Sequence, residues 1–283
     1  MRLTAKQQAA LYYARRQRIA RQGGAPPVIP PQAETDALVA RMTVAPSAAR
    51  KTLIDNVIVA LKNAGIWTDL DLLYVFAAHD AQAAILNWKA ATFPIVSMLV
   101  PVFTVDRGYD FDGTTQYLRT TFIPSTNGVN YTINSASAFI WCRDNVAGGS
   151  GVISLGAQGA ASARSLKINP RHTANQFFIA LNSDTTAQIG AVTDSIGLTH
   201  IERSSSANVT VYKNGVNSVT SALVSTGTPQ VEIDLGALNA NGTITGFDSR
   251  ALAVMGLGKA LGDTKATALY NALSTYLSAI GAA

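Results

Sequence analysis

A single cysteine, Cys142, in 283 residues leaves this chain no internal disulfide and no cysteine-rich zinc site. Cys142 closes the apolar run Ala138–Cys142, so its expected place is a buried thiol, and stability must come from packing. Charge is also scarce, at 14% of residues, and aromatics reach only 7%. The remainder is rich in Ala, Ser, Thr, Gly and β-branched residues, a composition that packs and excludes a disordered polyelectrolyte. No apolar run is long enough to cross a bilayer: residues 93–105 are broken by Pro94 and Pro101. No apolar stretch follows the positive charge at the start of the chain, so synthesis in a cytosol is the expectation. A phosphate loop is missing too, because Gly148-Gly149-Ser150-Gly151 is not followed by Lys-Ser/Thr and reads as a flexible hairpin tip.

What charge there is sits unevenly. The formal net charge is +5, yet Arg2, Lys6, Arg15, Arg16, Arg18 and Arg21 precede Gly23 with no acid among them. The rest carries 16 basic residues against 17 acidic ones, so the body offers nucleic acid no basic surface. Residues 3–22 read as a helix capped by Thr4. The segment 23–31 carries four prolines and reads as a semi-rigid polyproline spacer. These two pieces form an arm, 1–31. A helical connector, 32–67, follows, in which Ser47 caps a helix with Leu53, Ile54, Val57, Ile58 and Leu61 on one stripe and Gly65 as its stop.

From residue 68 to 283 the pattern is mainly β. Leu72–Ala77 is a short continuous apolar strand, and Asp80 caps a further helical turn. Strands are expected near residues 116–123, 131–143, 152–155, 165–169, 176–182, 198–203, 208–213, 231–235 and 251–257, with turn residues between them, the spacing of a sandwich or barrel. Asn214-Gly215 is the strongest local signal. Both residues tolerate the positive φ of a type I′ turn, so 198–203, 208–213 and the segment after Gly215 read as a three-stranded meander at the centre of the fold. A closing helix is expected from an Asp263 cap, with Ala266, Leu269, Tyr270, Leu273, Tyr276, Leu277 and Ile280 on one stripe. Such a stripe should dock on the sandwich or on a neighbouring subunit, and the two striped helices offer surfaces for a symmetric homo-oligomer.

Several short stretches, in order, carry a resemblance: residues 71–78 with 82–88, Phe103–Tyr109 with Asp112-Gly113 and Tyr117-Leu118, the Val211–Val216 hairpin, and the closing 261–281 helix. Together they resemble the concanavalin-A-like, laminin-G-like jelly roll of phage and prophage virion proteins. The resemblance covers roughly residues 68–281 and leaves the arm outside. It implies a virion structural protein, made in the host cytoplasm and placed on a head or tail as a fibre, spike or decoration. Its partners would be capsid, portal or tail proteins. The arm residues Tyr12, Tyr13, Arg15, Arg16, Arg18 and Arg21 combine ring faces with cations, which suits nucleic acid, an acidic membrane or an acidic protein groove, and a docking peg entering a virion partner is the expected role. A second reading, from the binding class, makes the sandwich a reader of host-surface glycan through loops carrying Asn127, Asn130, Tyr131, Asn239 and Asn241.

Catalysis is not expected. Glu232-Ile233-Asp234 resembles the first part of a glucanase strand, but the third acid is absent at Ala237, and retaining hydrolysis needs two carboxyl groups about 5–5.5 Å apart. Glu232 and Asp234 therefore read as a solvent-facing pair on an edge strand. Asp106, Asp110 and Asp112 form the one acidic cluster, which reads as a turn capping its own amides, with calcium the alternative. His79, His172 and His200 are too far apart in sequence to suggest a metal site. No cofactor and no metal is expected.

Overall fold

The structure, a computed structural model, describes residues 31–283. The arm residues Tyr12, Tyr13, Arg15, Arg16, Arg18 and Arg21 lie outside the described residues. Five α-helices are α1 (Ala33–Val39), α2 (Ala48–Asn63), α3 (Ala81–Ala84), α4 (Pro124–Asn127) and α5 (Gly262–Ala279) among the described residues. The strands are β1 (Leu70–Val75), β2 (Ile95–Met98), β3 (Val102–Thr104), β4 (Gly108–Asp110), β5 (Tyr117–Thr120), β6 (Ala136–Cys142), β7 (Leu155–Gln158) and β8 (Ser165–Asn169). They continue as β9 (Phe177–Ser183), β10 (Ala187–Ile189), β11 (Gly197–Arg203), β12 (Asn208–Lys213), β13 (Val216–Ala222), β14 (Asp234–Leu235), β15 (Leu238–Ala240), β16 (Thr243–Thr245) and β17 (Leu252–Gly258).

The strands form two sheets packed face to face. Sheet one runs β13-β12-β11-β6-β17-β4-β3, with β1 also on β17; sheet two runs β10-β9-β8-β7-β14-β5-β2, with the β15–β16 hairpin on β7. Pairing is antiparallel except between β15 and β7. Period-two alternation explains the layers. Along β1 and the two residues after it, Leu72, Tyr74 and Phe76 enter the core between the sheets, while Leu73, Val75 and Ala77 enter a second core under the helices. On β6, Ala138, Ile140 and Cys142 face sheet two and Phe139 and Trp141 face the helices. Sheet one is thus buried on both faces, which is why its central strands read as unbroken apolar runs. Gly256 on β17 shows the closeness of that packing: a Cβ there would lie 2.1 Å from the Phe139 ring.

The stripes on α2 and α5 close this second core. Ile54, Val57, Ile58 and Leu61 meet Leu269, Leu273, Tyr276 and Leu277 over Leu73, Val75 and Trp141. They are spent inside the chain, so of the two places expected for the closing stripe it takes the sandwich. The connector is one layer of the sandwich's own packing. Ser47 caps α2 through Arg50 N at 3.2 Å, and Asp80 caps α3, as their sequences indicate. Asp263 does not cap α5. Its N-cap is Leu261 without a side-chain bond, and the amides of Leu261 and Gly262 donate to the Glu202 carboxylate of β11 at 2.8 and 3.1 Å.

The meander of β11, β12 and β13 is present with the expected turn: Asn214 has φ 52° and Gly215 φ 77°. Its place differs. β13 is the outer edge of sheet one, and the centre is β6, flanked by β11 and β17. The largely exposed polar run of Asn217, Ser218, Thr220 and Ser221 suits an edge, whereas β6 is buried at every residue. The expected strand from Tyr131 begins only at Ala136, because Thr132 N donates to Ser135 O in a turn. The expected 152–155 strand is displaced to β7 at 155–158.

Candidate functional site

The loops between strands collect at one end of the sandwich, and a buried cation ties them together. Arg250, in the loop before β17, is fully buried. Its Nη1 donates to both oxygens of Asp248 at 2.9 Å and to Ser154 Oγ at 3.2 Å. Nη2 donates to Val146 O at 2.8 Å, Asn169 Oδ1 at 3.0 Å and Arg171 O at 2.9 Å. Ser154 Oγ also donates to Asp248. One guanidinium thus satisfies a buried carboxylate and fixes the chain at 146, 154 and 169–171.

Asn145 extends the ties to the β10–β11 loop. Its Oδ1 accepts from Arg171 Nη1 at 2.8 Å and Ser195 N at 3.1 Å, and its Nδ2 donates to Thr193 O at 3.3 Å. Ser195 Oγ donates to Asp144 O at 2.7 Å and accepts from Val146 N at 2.9 Å. From β12, Lys213 Nζ donates to Ser195 O at 3.0 Å. Burial holds the Lys213 ammonium below the usual lysine range and the Asp144 carboxyl above the usual carboxylate range.

Beside these loops opens a cleft of about 290 Å³. Phe177 and Val192 form apolar wall, and half-exposed Ile196 stands on the rim. Thr193, Asp194, Lys213, Asn214 and Ser218 supply the polar lining. Two are held in place: Asp194 Oδ1 accepts from Ile196 N at 2.8 Å, and Asn214 Oδ1 from Leu198 N at 2.9 Å. The cleft presents donors on Lys213, Asn214, Thr193 and Ser218, one carboxylate on Asp194, and apolar contact area alongside. That mixture suits a small polyhydroxylated ring with one apolar face. It holds one carboxylate and no histidine.

The fold also stands among known structures. No family model matches the sequence, and no curated protein matches it. Solved structures do. The binding domain of botulinum neurotoxin serotype G superposes with TM-score 0.52 at 12% identity, over 73% of this chain and 51% of that one. A structure of botulinum neurotoxin type C, whose passage into cells depends on interaction with two ganglioside molecules, gives 0.50 at 16% identity over 75% and 53%. Domain 4 of AbnA, an extracellular GH43 arabinanase from Geobacillus stearothermophilus in complex with arabinotriose, gives 0.45 at 15% identity over 71% and 98%. The chain spans about half the length of the toxin chains it matches. At such identity the likeness is one of fold, and the fold is a jelly-roll sandwich.

None of the loop residues expected from sequence lines the cleft. Tyr131 is a core residue, 1% exposed, whose hydroxyl donates to Asn182 Oδ1 at 2.6 Å; this corrects its assignment to a glycan-reading surface. Asn239 is likewise buried, accepting from Gly242 N and donating to Glu232 O. Asn127 accepts from Ile123 N at 2.7 Å, Asn130 binds Asp71 through main chain and side chain, and Asn241 holds a positive-φ turn position. All five build their own turns or core. The cleft residues leave no pattern in the sequence because positions 177, 192–196 and 213–218 meet only through the folded sheets; the one local hint is Lys213 beside the Asn214-Gly215 turn.

The acidic positions sort differently from expectation too. Asp234 is neither exposed nor on an edge. It is buried on β14 between β5 and β7, paired with Arg119 Nε and Nη2 at 2.9 and 3.0 Å. Burial outweighs Arg119 and raises its pKa to about 6. The folded chain therefore holds this proton above the unfolded value, and stability supplied below about pH 4 is lost as pH rises through 6. Asp234→Asn should remove that loss, on the order of 3 kcal/mol, in urea titrations compared between pH 4 and 7. Asp112 caps Thr114, Thr115 and Gln116 amides in a turn, and Asp106 pairs with Arg50 at 2.6 Å. Among the described residues no cluster of three metal-binding side chains occurs. Cys142 is buried, its thiol pushed up to about 12.

Proposed function

We propose that this protein is a non-enzymatic recognition module whose sandwich binds carbohydrate on a receptor surface at the loop-end cleft. The carrying observation is the cleft itself: fixed polar groups on Asp194, Lys213 and Asn214 beside Phe177 and Ile196, on loops cross-tied by Arg250 and Asn145. Prefixed groups bind without ordering cost, as a reader of weakly binding sugars requires. A hydrolase reading lacks the second carboxylate in the cleft. The likeness to toxin binding domains and the ganglioside dependence of the type C toxin support the choice of ligand class. Glycan-array screening of the full chain, followed by calorimetry, tests it. Asp194→Asn, which keeps the acceptor for Ile196 N, with Ser218→Leu should weaken the best glycan at least tenfold, about 1.4 kcal/mol, with little change in the unfolding midpoint. Binding unchanged by that pair removes the cleft from the function.

The basic, aromatic arm and its proline spacer favour a further element: display of the sandwich on a virion, with residues 1–31 as the anchor. Particles assembled with a chain lacking 1–31 should omit the protein while the purified sandwich stays folded. Normal incorporation removes the anchor reading.

A further inference from the structure

The stripes of α2 and α5 face inward, and between the two helices a groove of about 330 Å³ opens to the outside. The helices run antiparallel: Arg50 Nη1, near the start of α2, donates to Tyr276 Oη, near the end of α5, at 3.0 Å, and Lys265 Nζ donates to Gly65 O, just past α2, at 3.0 Å. Buried Val57, Ala272 and Tyr276 form the floor of the groove, and half-buried Leu53, Ala60 and Ala268 form its walls. Alanine at three of these positions leaves room for the side chains of a third helix. Exposed Asn56 and Asn271 stand on the rims, and among the described residues the lining carries no charge. Every charged group of α2 and α5 is engaged elsewhere: Arg50 with Asp106, Lys51 with Asp36, Asp55 with Gln32 N and Thr35, Lys62 with Glu34, Asp263 with Tyr212, and Lys265 with Asp69. A charged ligand therefore finds no open counter-charge here, whereas an apolar side chain finds cover.

The chain enters the described structure on α2 itself. Gln32 N donates to Asp55 Oδ1 at 2.7 Å and Gln32 Oε1 accepts from Lys62 Nζ at 3.0 Å, so the proline spacer ends along the Asp55–Lys62 line of that helix. The groove's own line, Leu53 to Ala60, is roughly 160° round the same helix at 3.6 residues per turn. Exposed Thr52, Asn56 and Asn63 pave the solvent side between the two lines with uncharged groups. Half the girth of a helix about 10–12 Å across is roughly 17 Å, and the spacer of residues 23–31, at ~3.1 Å per residue, reaches about 28 Å. We propose that the groove between α2 and α5 is the seat of this chain's own arm, with Tyr12 and Ile19 filling its two ends. Those residues are seven apart, as are Leu53 and Ala60, so in the helix that the arm's sequence indicates both pairs span about 10 Å along the axis. Arg15 and Arg16 flank the Tyr12–Ile19 line and Arg21 lies opposite it, which leaves the cations in water. A helix of about 20 residues with so narrow an apolar line is marginal alone and gains order by burying it. A particle that takes the arm as an anchor must first displace it from this seat.

The purified full chain tests the seat without any particle or glycan. With p-benzoylphenylalanine in place of Tyr12, photo-crosslinks should form within one chain, to the peptides 53–60 and 268–276. Amide exchange of residues 8–20 should be slowed about tenfold or more against an unfolded peptide of the same sequence. Salt at about 1 M should leave that protection unchanged, because no ion pair holds the arm. Asn56→Arg with Asn271→Arg places two cations across the mouth of the groove from exposed rim positions, and should cut crosslinking and protection about tenfold with unchanged circular dichroism. Tyr12→Ser with Ile19→Ser removes the occupants without touching the sandwich, and serves if the rim variant fails to fold. Crosslinks that miss the groove, or protection that survives these substitutions, overturn the proposal. So do crosslinks between two chains, which give the groove to another copy's arm. The anchor reading is decided separately, by incorporation into particles.

Discussion

Arg250→Met should lower the unfolding midpoint by about 10 °C, the largest single loss expected from any loop position. The substitution keeps much of the side-chain volume and removes seven hydrogen bonds that reach five residues. It leaves the Asp248 carboxylate buried beside Ser154 with no counter-charge, and it cuts the ties to Asn169 and to the carbonyls of Val146 and Arg171, which keep only Ser195 Oγ and Gly148 N. Breaking a buried pair from one side costs about 3–5 kcal/mol. For a chain of this size each kcal/mol moves the midpoint roughly 2–4 °C. Removing both charges, with Arg250→Met and Asp248→Leu together, should recover part of the loss. The recovery is partial because the cross-ties to Val146, Ser154, Asn169 and Arg171 are not restored.

The same variant separates stability from site geometry. Amide exchange should rise in residues 144–151, 169–173 and 193–196, since Arg250 fixes the first two stretches and Asn145 transmits the order to the third. Sheet one, held by the packing of β6 and β17, should keep its protection. A loss under about 1 kcal/mol, or exchange spread evenly over the chain, would mean that the loops hold their form without the guanidinium.

Much of this fold was legible because burial leaves a period. The segments 165–169, 198–203 and 208–213 match β8, β11 and β12 within a residue, since their alternation or two-sided apolarity is local. Asn214-Gly215 was legible because its backbone geometry admits few residues. Position within the sheet was not: a hairpin at an edge and one at a centre share the same turn, and only the all-buried β6 distinguishes them. The stripes on α2 and α5 show in sequence that they need cover, but a stripe does not say whose surface supplies it. Polar positions misled most. Asp234, Arg250 and Asp248 look like surface residues in sequence, and their partners are 115, 104 and 94 positions away. The cleft was illegible for the same reason, because its walls come from three separate stretches.

The second large effect lies on the acid side. His200 on β11 is wholly buried, stacked on Tyr212 at 5.0 Å and edge-on to Phe139 at 6.1 Å. Neither ring nitrogen has a hydrogen-bond partner among the described residues. The nearest acid, Glu202, stands 3.5 Å away, with its oxygens already accepting from Leu261 N, Gly262 N and Tyr212 Oη; Asp263 reaches Tyr212, not the imidazole. Burial therefore pulls the His200 pKa down to about 3. The unfolded chain takes up this proton near 6.5 and the folded chain does not, so the stability it supplies is complete above 6.5 and is lost as pH falls to 3. Between pH 7 and 4 that loss is about 3 kcal/mol. His200→Phe keeps the stacking and removes the unpaired nitrogens, so it should be neutral to slightly stabilising at pH 7 and about 3 kcal/mol more stable than wild type at pH 4. Asp234 acts with the opposite sign over pH 4 to 6, so the wild-type curve is nearly level there on these two groups. His200→Phe should then lose stability as pH rises from 4 to 6, and Asp234→Asn should gain it. Parallel urea titrations of the three proteins read the slopes directly, and equal slopes would show that neither group titrates differently in the folded chain.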